Sequence, residues 1–213
     1  MRRNKTQRKL EFDNHPLALV GHPHVAGKWR AFLGADAPLV LELGCGKGDF
    51  LLEYARRFPD SWIIGLDVKK ERLWKAAIRA AAEGLGRVRL LRENILIIEQ
   101  VFGAHELDEI WITFPDPYPK KAHEDRRLTA PHFLAAYRRL LRPGGRIHFK
   151  TDNADLFAYS LMNLRGGPLR ILSLSDDLHA NPWLDPKAYF ETAYERRFRA
   201  EGLPIRYVCA EFV

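Results

Sequence analysis

The chain has 213 residues, of which 46% are hydrophobic and 29% are charged, a composition that fits one globular domain and excludes a low-complexity protein. Lys and Arg outnumber Asp and Glu by 34 to 27, so the net charge is +7 and the pI is near 9.5, which favours a polyanionic partner. The 2 cysteines, Cys45 and Cys209, exclude a disulfide framework, and we expect both to be small buried side chains.

The N-terminal stretch MRRNKTQRKLEFDN (residues 1–14) is basic, but no apolar run follows it, so it does not predict a signal peptide. No apolar run in the chain approaches the length that crosses a bilayer. We therefore expect a cytoplasmic protein that is a single domain over residues 1–213, with a flexible basic arm at its N-terminus.

From residue 38 onward, short apolar runs alternate with amphipathic stretches, which is typical of a parallel sheet covered by helices. The predicted helices are, in chain order, DFLLEYARRF, KKERLWKAAIRAAAEG, NILIIEQVF, TAPHFLAAYRRLL and NADLFAYSLMNL. The predicted strands are PLVLELG, SWIIGLD, RVRLLRE, DEIWITF, RIHFKTD, LRILSLS and IRYVCAEFV. This order predicts an α/β fold with one doubly wound, mostly parallel, seven-stranded sheet.

In sheets of this kind, ligands bind outside the carboxyl ends of the strands. Each of the first five predicted strands ends in small or polar residues, namely Gly44–Gly48, Asp67, Glu93 with Asn94, Asp116, and Thr151 with Asp152. The sequence therefore predicts a ligand site at this edge of the sheet.

The glycine loop GCGKG at residues 44–48 lets a ligand approach the backbone closely. Asp67 ends the next strand about twenty residues further on, where a carboxylate can accept from both hydroxyls of a ribose. That ribose can belong to NAD or to S-adenosylmethionine. A dinucleotide fingerprint needs glycine at position 49, which is Asp49, and Glu42 in the first strand suits an ammonium and a sulfonium better than a pyrophosphate. The sequence therefore favours S-adenosylmethionine.

The stretch FPDPYPKKAHEDRR (residues 114–127) follows the fourth strand and raises the question of the acceptor. Prolines cannot extend a strand ladder, so a rigid loop presents a carboxylate, an aromatic ring and a basic cluster together. One interpretation is the DPPY-type motif of enzymes that methylate exocyclic amines. Here, however, a proline separates Asp116 from Tyr118 and a basic run follows at once, which favours a different acceptor.

LELGCGKGDFLLEYARRFPDSWIIGLD, FPDPYPKKAHEDRR and FKTDN together resemble the tRNA (guanine-N7)-methyltransferase family of the TrmB type, over residues 38–213. The resemblance implies a class I, Rossmann-like methyltransferase fold, S-adenosylmethionine as cofactor, tRNA as partner, and methyl transfer to N7 of the guanine at position 46 in the variable loop. It implies Asp116 as the catalytic residue. The implied cofactor-binding residues are Glu42, Gly44, Gly46, Asp67, Asn94 and Asp116.

The resemblance also implies a substrate-binding set, drawn from the basic run, the end of the fifth strand and the stretch ETAYERRFRAEG. Its members are Lys120, Lys121, Arg126, Arg127, Asp152, Thr192, Tyr194 and Glu195. We expect Thr192 and Glu195 to face the Asp116 loop across the acceptor pocket. Asn94 departs from the family pattern, because an acidic residue is common at its position.

Other functions stay open at this point: methylation of an exocyclic amine, a small-metabolite methyltransferase, and a catalytically silent RNA-binding relative. The intact glycine loop, Glu42 and Asp67 argue against the silent relative, and the basic run argues against a small metabolite. The histidines His22, His24 and His123 lack acidic or cysteine partners at ligand spacing, so we expect no metal site. The sequence does not distinguish a monomer from a homodimer.

Overall fold

The computed structural model of the chain describes residues 4–20, 25–34 and 36–213. Its helices are α1 Lys5–Asp13, α2 Trp29–Leu33, α3 Asp49–Arg57, α4 Lys70–Ala82, α5 Ile98–Val101, α6 Pro131–Leu140, α7 Ala154–Gly166 and α8 Ala193–Ala200. Its strands are β1 Ala18–Leu19, β2 Leu39–Leu43, β3 Trp62–Asp67, β4 Val88–Arg92, β5 Leu107–Thr113, β6 Leu141–Thr151, β7 Leu169–Ser175 and β8 Arg206–Phe212.

The strands form one sheet in the order β1-β4-β3-β2-β5-β6-β8-β7, with β8 antiparallel to both of its neighbours and the other pairs parallel. The predicted α/β doubly wound fold is confirmed. In the described part of the chain the sheet has 8 strands where the sequence predicts seven. The additional strand is β1, in which Ala18 pairs with Leu90 and Leu19 with Leu91 at the edge.

Helices cover both faces of the sheet, which is why the central strands are buried along their length and mostly apolar. Every residue of β2 and β3 is buried. The helix α4 buries Leu73, Ala76, Ala77 and Ala80, an i, i+3, i+4, i+7 stripe that packs with α1 and α3 on one face. On the other face α2, α5, α6 and α7 contribute to a second apolar cluster. Cys45 and Cys209 are free thiols and both are buried, as expected.

The N-terminal segment differs from the flexible arm that the sequence analysis expects. Asn4 caps α1 by accepting from the backbone N–H of Gln7 at 2.8 Å. Phe12 is fully buried, and Lys70 Nζ donates to Asp13 Oδ2 at 2.6 Å, so α1 is docked against α4. Residues 1–3 lie outside the described residues. None of the helices in the described ranges has the length and apolarity that a membrane crossing requires.

The sheet order positions the site. From β2 the chain continues to β3 and β4 on one side, whereas β5 and β6 lie on the other side. The carboxyl ends of β2 and β5 therefore flank the topological switch point, where a crevice opens in folds of this kind.

Candidate active site at the carboxyl edge of the sheet

A cavity of about 480 Å³ opens at the switch point. Its walls come from the ends of β2, β5 and β6, from the glycine loop, from the proline loop 114–119 and from the first turn of α8. The cavity therefore brings together segments that are far apart in the sequence. Of the predicted site residues, those in its walls are Glu42, Gly44, Gly46, Asp116, Asp152, Thr192 and Tyr194.

Glu42 is a buried carboxyl group at the floor of this cavity. Its Oε1 accepts from Thr113 Oγ1 at 2.9 Å, whereas Oε2 has no hydrogen-bond partner among the described residues. Burial raises the pKa of Glu42 to about 8. A buried acceptor without a donor is costly, and a ligand ammonium group would satisfy it. This unpaired oxygen fits the methionyl end of S-adenosylmethionine.

The glycine loop leaves the cavity floor open beside Glu42. Gly44 and Gly46 have φ angles of 70° and 57°, in the left-handed region that glycine adopts without strain. A side chain at Gly44 would meet no atom within 4 Å, so only the missing Cβ keeps this space free for a ligand. At Gly48, by contrast, an added Cβ would lie 2.9 Å from Ala76 Cβ, because α3 packs closely on α4 there.

Asp67 is buried behind the glycine loop, outside the cavity wall. Its Oδ2 accepts from Gly46 N at 3.1 Å, and its Oδ1 accepts from Lys69 N at 2.8 Å. Each carboxylate oxygen has a second lone pair, so Asp67 can shape the loop and still accept from ribose hydroxyls. Its assignment to the cofactor stays a prediction.

Asn94 follows β4 and is exposed. Its Oδ1 accepts from Leu96 N at 3.0 Å, so this oxygen caps the short 3-10 helix Ile95–Ile97. Asn94 is not in the wall of the 480 Å³ cavity. The predicted contact of Asn94 with the adenine stays a prediction.

The proline loop holds the exposed side chain of Asp116 in the cavity wall. Two non-glycine residues of this loop, Phe114 and Tyr118, have positive φ angles of 48° and 42°. Such conformations cost energy and persist only where the surroundings impose them. Phe114 N donates to Lys150 O at 2.8 Å, which fixes the start of the loop on β6.

Arg127 fixes the other end of the loop, and this role was missed in the sequence. The side chain is 6% exposed, with Nε donating to Pro117 O at 3.1 Å and Nη2 donating to Tyr118 O at 3.0 Å. Its guanidinium also lies over the Tyr159 ring, 4.4 Å from the centroid. The expectation that Arg127 contacts a phosphate therefore does not fit, because the side chain is buried and donates to the carbonyls of the loop.

The remaining cations of the basic run, Lys120, Lys121 and Arg126, are exposed beside the proline loop. Within the described chain none of them has an acidic partner within 4 Å. They are free to bind an external anion.

The residues that the structure describes contain no cluster of side chains that could hold a metal ion. Two of the histidines considered in the sequence, His22 and His24, lie outside the described residues.

The first turn of α8 lies over the cavity. Thr192 caps the helix, its Oγ1 accepting from Glu195 N at 3.1 Å, and Tyr194 is exposed in the wall. Asp49, which the sequence analysis used only to exclude a dinucleotide loop, joins this turn to α3. Its Oδ2 accepts from Ala193 N at 2.8 Å, and its Oδ1 accepts from Arg79 at 2.6 Å.

Glu195 does not face Asp116 across the pocket, contrary to expectation. It is fully buried, with Oε2 accepting from Lys150 Nζ at 2.7 Å and Oε1 accepting from His179 Nε2 at 2.8 Å. Lys150 also donates to Ala188 O and Phe190 O, each at 2.9 Å, and burial lowers its pKa. The carboxylate turns inward because it is the counter-ion of a buried lysine. The sequence did hold one indication of this pair, because Lys150 follows apolar residues in a predicted strand and a buried lysine needs a counter-ion.

Asp152 is half-buried in the cavity wall at the end of β6, and burial raises the pKa of its carboxyl group. With Asp116 it provides a second acidic group in the part of the cavity formed by β5, β6 and α8. The cavity thus contains the buried carboxyl group of Glu42 together with the carboxyl groups of Asp116 and Asp152, which follow β5 and β6. That arrangement suits a cationic donor and a base that presents N–H groups.

Comparisons with known proteins identify the family of the chain. A family model described as "Putative methyltransferase" matches residues 36–207. The chain is 40% identical over 183 residues to a tRNA (guanine-N(7)-)-methyltransferase of Bacteroides thetaiotaomicron, covering 85% of this chain and 72% of that protein. It is 42% identical over 185 residues to one of Christiangramia forsetii (85% and 82% covered), and 36% identical over 211 residues to one of Listeria monocytogenes (99% and 97% covered).

Solved structures show the same fold at lower identity. The crystal structure of the 16S rRNA methyltransferase KamB aligns with a TM-score of 0.64 at 16% identity, covering 87% of this chain and 93% of that one. A 16S rRNA (adenine(1408)-N(1))-methyltransferase with cosubstrate SAM, from Catenulisporales acidiphilia, aligns with a TM-score of 0.63 at 15% identity, covering 88% and 91%. The fold is that of class I S-adenosylmethionine-dependent methyltransferases.

Proposed function

The chain belongs to the tRNA (guanine-N7)-methyltransferase family, and on that premise we propose that it transfers the methyl group of S-adenosylmethionine to N7 of a guanine in tRNA. We propose further that this guanine is the one at position 46 in the variable loop. The observation that carries the proposal is one cavity that holds both an unpaired, buried Glu42 oxygen and the exposed Asp116 carboxylate. The proposed substrate places the protein in the cytoplasm.

The donor half of the site is Glu42, Gly44, Gly46 and Asp67. Glu42 would accept from the ammonium group through its free Oε2, and the open backbone at Gly44 gives the ligand room. Asp67, whose Oδ2 accepts from Gly46 N in the glycine loop, would accept from the ribose hydroxyls through its remaining lone pairs. When bound, S-adenosylmethionine supplies an electrophilic methyl group on a sulfonium.

The acceptor half relies on position rather than on a strong base. Guanine N7 carries a free lone pair, so the N7–methyl bond would form as the methyl–sulfur bond of the donor breaks, with the electron pair left on sulfur and no prior loss of a proton. The enzyme's contribution is then mainly orientation, which can supply several kcal/mol of the barrier, on the order of 7–11 in well-oriented systems. Asp116 would accept from N1–H and the 2-amino group of the guanine, and it would stabilise the positive charge on the methylated base.

The walls around Asp116 supply the remaining contacts. Asp152, Thr192 and Tyr194 line the same cavity and would contact the base or its ribose. Lys120, Lys121 and Arg126 stand beside the opening and would bind phosphates around the extruded nucleotide. Arg127 and Phe114 hold the loop in its conformation before the substrate arrives.

The direct test is to incubate the protein with an unmodified tRNA transcript and methyl-labelled donor, and then to map the labelled nucleotide. The proposal expects 7-methylguanosine at position 46. Label on an exocyclic amine would favour the DPPY-type interpretation. Binding of tRNA without any transfer would identify a silent relative.

A further inference from the structure

A second concave surface, the α1–α4 groove, lies beside the active-site cavity. It has a volume of about 600 Å³ and is bordered by α1, by the start of α4 and by the end of β4. The basic side chains in its walls are Lys5, Lys9, Lys69, Lys70, Arg72 and Arg92. The only acidic residue in these walls, as far as the chain is described, is Glu71. The groove is therefore strongly basic, although α1 and α4 also carry acids elsewhere.

Ion pairs inside the protein neutralise only part of this charge. Lys70 pairs with Asp13 at 2.6 Å, and Lys5 lies 3.6 Å from Glu71. Lys9, Lys69 and Arg92 are exposed, and none of them has an acidic partner within 4 Å among residues 4–20, 25–34 and 36–213. Cations gathered in a concave surface create a positive potential that attracts anions.

The groove opens at the same edge of the sheet as the active site. Arg92 ends β4, and Lys69 lies two residues after Asp67, the last residue of β3, so both lie at the carboxyl edge. Arg72 is in the walls of both the groove and the 480 Å³ cavity, so the two adjoin at this side chain. On the far side of that cavity stand the exposed cations of the basic run, after β5. Basic groups thus flank the cavity on both sides.

The helix α1 is held rigidly enough to form one wall of the groove. Phe12 is fully buried, Trp74 Nε1 donates to Glu11 Oε2 at 2.9 Å, and the Arg8 guanidinium lies 5.3 Å from the Trp74 ring centroid. These contacts hold the backbone of α1, and with it the positions from which Lys5 and Lys9 extend, across the groove from the start of α4. Preorganised cations lose less entropy when they bind an extended polyanion.

We propose that the α1–α4 groove binds the phosphate backbone of the RNA substrate, on the side of the active site opposite Lys120, Lys121 and Arg126. This inference rests on the proposed function, because it takes tRNA as the substrate. A nucleic-acid backbone fits better than a lipid surface, since the groove is concave and adjoins the cavity that would receive the base. Contacts on both flanks would hold the RNA across the cavity while one base is extruded into it.

The test compares two triple variants that lose the same number of cations. The groove variant is Lys9→Ala/Lys69→Ala/Arg92→Ala. The control is Arg138→Ala/Arg146→Ala/Arg165→Ala, whose residues are exposed, have no ion pair within the described chain and lie towards the amino edge of the sheet. For each protein, tRNA affinity is measured over a range of salt concentrations, together with KM for tRNA, kcat and the affinity for S-adenosylmethionine.

The groove variant should bind tRNA on the order of ten- to a hundred-fold more weakly at low salt, and the slope of log affinity against log salt should fall by about 2. Its KM for tRNA should rise, while donor affinity and kcat at saturating tRNA stay near wild type. The control should keep the wild-type slope. Equal losses in both variants, or none in either, would overturn the inference.

The same proteins separate this inference from the proposed function. If wild type binds tRNA but methylates none, the proposed function fails. The salt dependence of tRNA affinity in the two triple variants still shows whether the groove binds RNA. If the groove variant keeps tRNA binding but loses binding to vesicles that contain phosphatidylglycerol, the groove is a membrane surface and the inference is wrong.

Discussion

Lys150 Nζ lies 2.7 Å from Glu195 Oε2, and both side chains are completely buried. The pair connects the end of β6 to α8, the helix whose first turn covers the active-site cavity. Lys150 also holds the carbonyls of Ala188 and Phe190, so one buried cation organises the whole segment that leads into α8. We infer that Glu195 acts on the reaction by positioning Thr192 and Tyr194, rather than by contact with the substrate.

Replacing Glu195 by Ala should destabilise the protein by about 3–5 kcal/mol, because it leaves the Lys150 ammonium buried without a counter-ion. Urea unfolding measures this change. The matched control is Tyr194→Ala, a neighbouring exposed position, which should change the free energy of unfolding by no more than about 0.5 kcal/mol and raise KM for tRNA. A Glu195→Ala protein of normal stability with a raised KM would instead make Glu195 a substrate contact.

Donor binding should release a proton from Glu42. Its carboxyl group has a pKa of about 8 in the protein alone, and a cationic ligand beside it favours the ionised form. Calorimetric titrations of S-adenosylmethionine at pH 7, in buffers of different ionisation enthalpy, should therefore show proton release. The Glu42→Gln protein, whose side chain cannot ionise, should bind the donor more weakly and release none from this site.

The same pKa sets how the stability of the ligand-free protein depends on pH. Because burial raises the pKa of Glu42 above its ordinary value of 4.5, the folded state holds a proton that the unfolded state has lost between that pH and about 8. The contribution of this carboxyl group to the free energy of unfolding is fully present below pH 4.5 and is lost as the pH rises towards 8. Stability should therefore fall with rising pH less steeply in Glu42→Gln than in wild type. If the free energies of unfolding of the two proteins changed in parallel with pH, Glu42 would not be buried in its protonated form.

Arg127→Ala should lower the rate of methyl transfer rather than the affinity for tRNA. The change leaves the Pro117 and Tyr118 carbonyls without their donor and loosens the loop that carries Asp116. We expect a loss on the order of a hundred-fold in single-turnover rate, the scale of a small misplacement of reacting groups. Arg126→Ala, the exposed neighbour, should instead raise KM for tRNA and flatten its salt dependence. If Arg127→Ala instead raised KM for tRNA and left the single-turnover rate unchanged, Arg127 would be a phosphate contact.

Asp116→Asn should keep the fold and the donor affinity but lose most of the methyl transfer. Asn offers one acceptor and an unwanted N–H donor where guanine presents N–H groups only. A loss on the order of 10²–10³ in single-turnover rate matches the removal of one preorganised electrostatic partner. Asp125→Asn, an exposed acid in the same segment, is the control and should be near wild type. Normal rates in Asp116→Asn would remove this residue from the mechanism.

The sequence predicted the sheet and the residues at its carboxyl edge because both follow from local patterns. Buried parallel strands read as apolar runs, and the site residues follow those runs directly. The strand β1 could not be predicted in this way, since Ala18–Leu19 carries no pattern of its own and is a strand only through its pairing with β4. The start of α1 was indicated by Asn4, a good N-cap residue, but the basic composition around it favoured a flexible arm instead.

The errors in the site concern side chains whose partners are distant in sequence. The spacing of Thr192 and Glu195 matches the helix-capping pattern S/T-x-x-E, and Thr192 does cap α8. Nothing local shows that the glutamate turns instead to Lys150, which is 45 positions away. Arg127 likewise resembles its exposed neighbours in sequence, and only the fold of the proline loop brings two carbonyls to its guanidinium.

The most direct test of the account uses two tRNA transcripts that differ in a single atom of the acceptor base. One carries guanosine at position 46, and the other carries 7-deazaguanosine, in which a C–H group replaces N7 and the Watson–Crick edge is unchanged. Under single-turnover conditions with labelled S-adenosylmethionine, the first transcript should be methylated, and the second should bind with similar affinity but take up no label. Methylation of the 7-deaza transcript, or label at another nucleotide in both, would contradict transfer to N7 of this guanine.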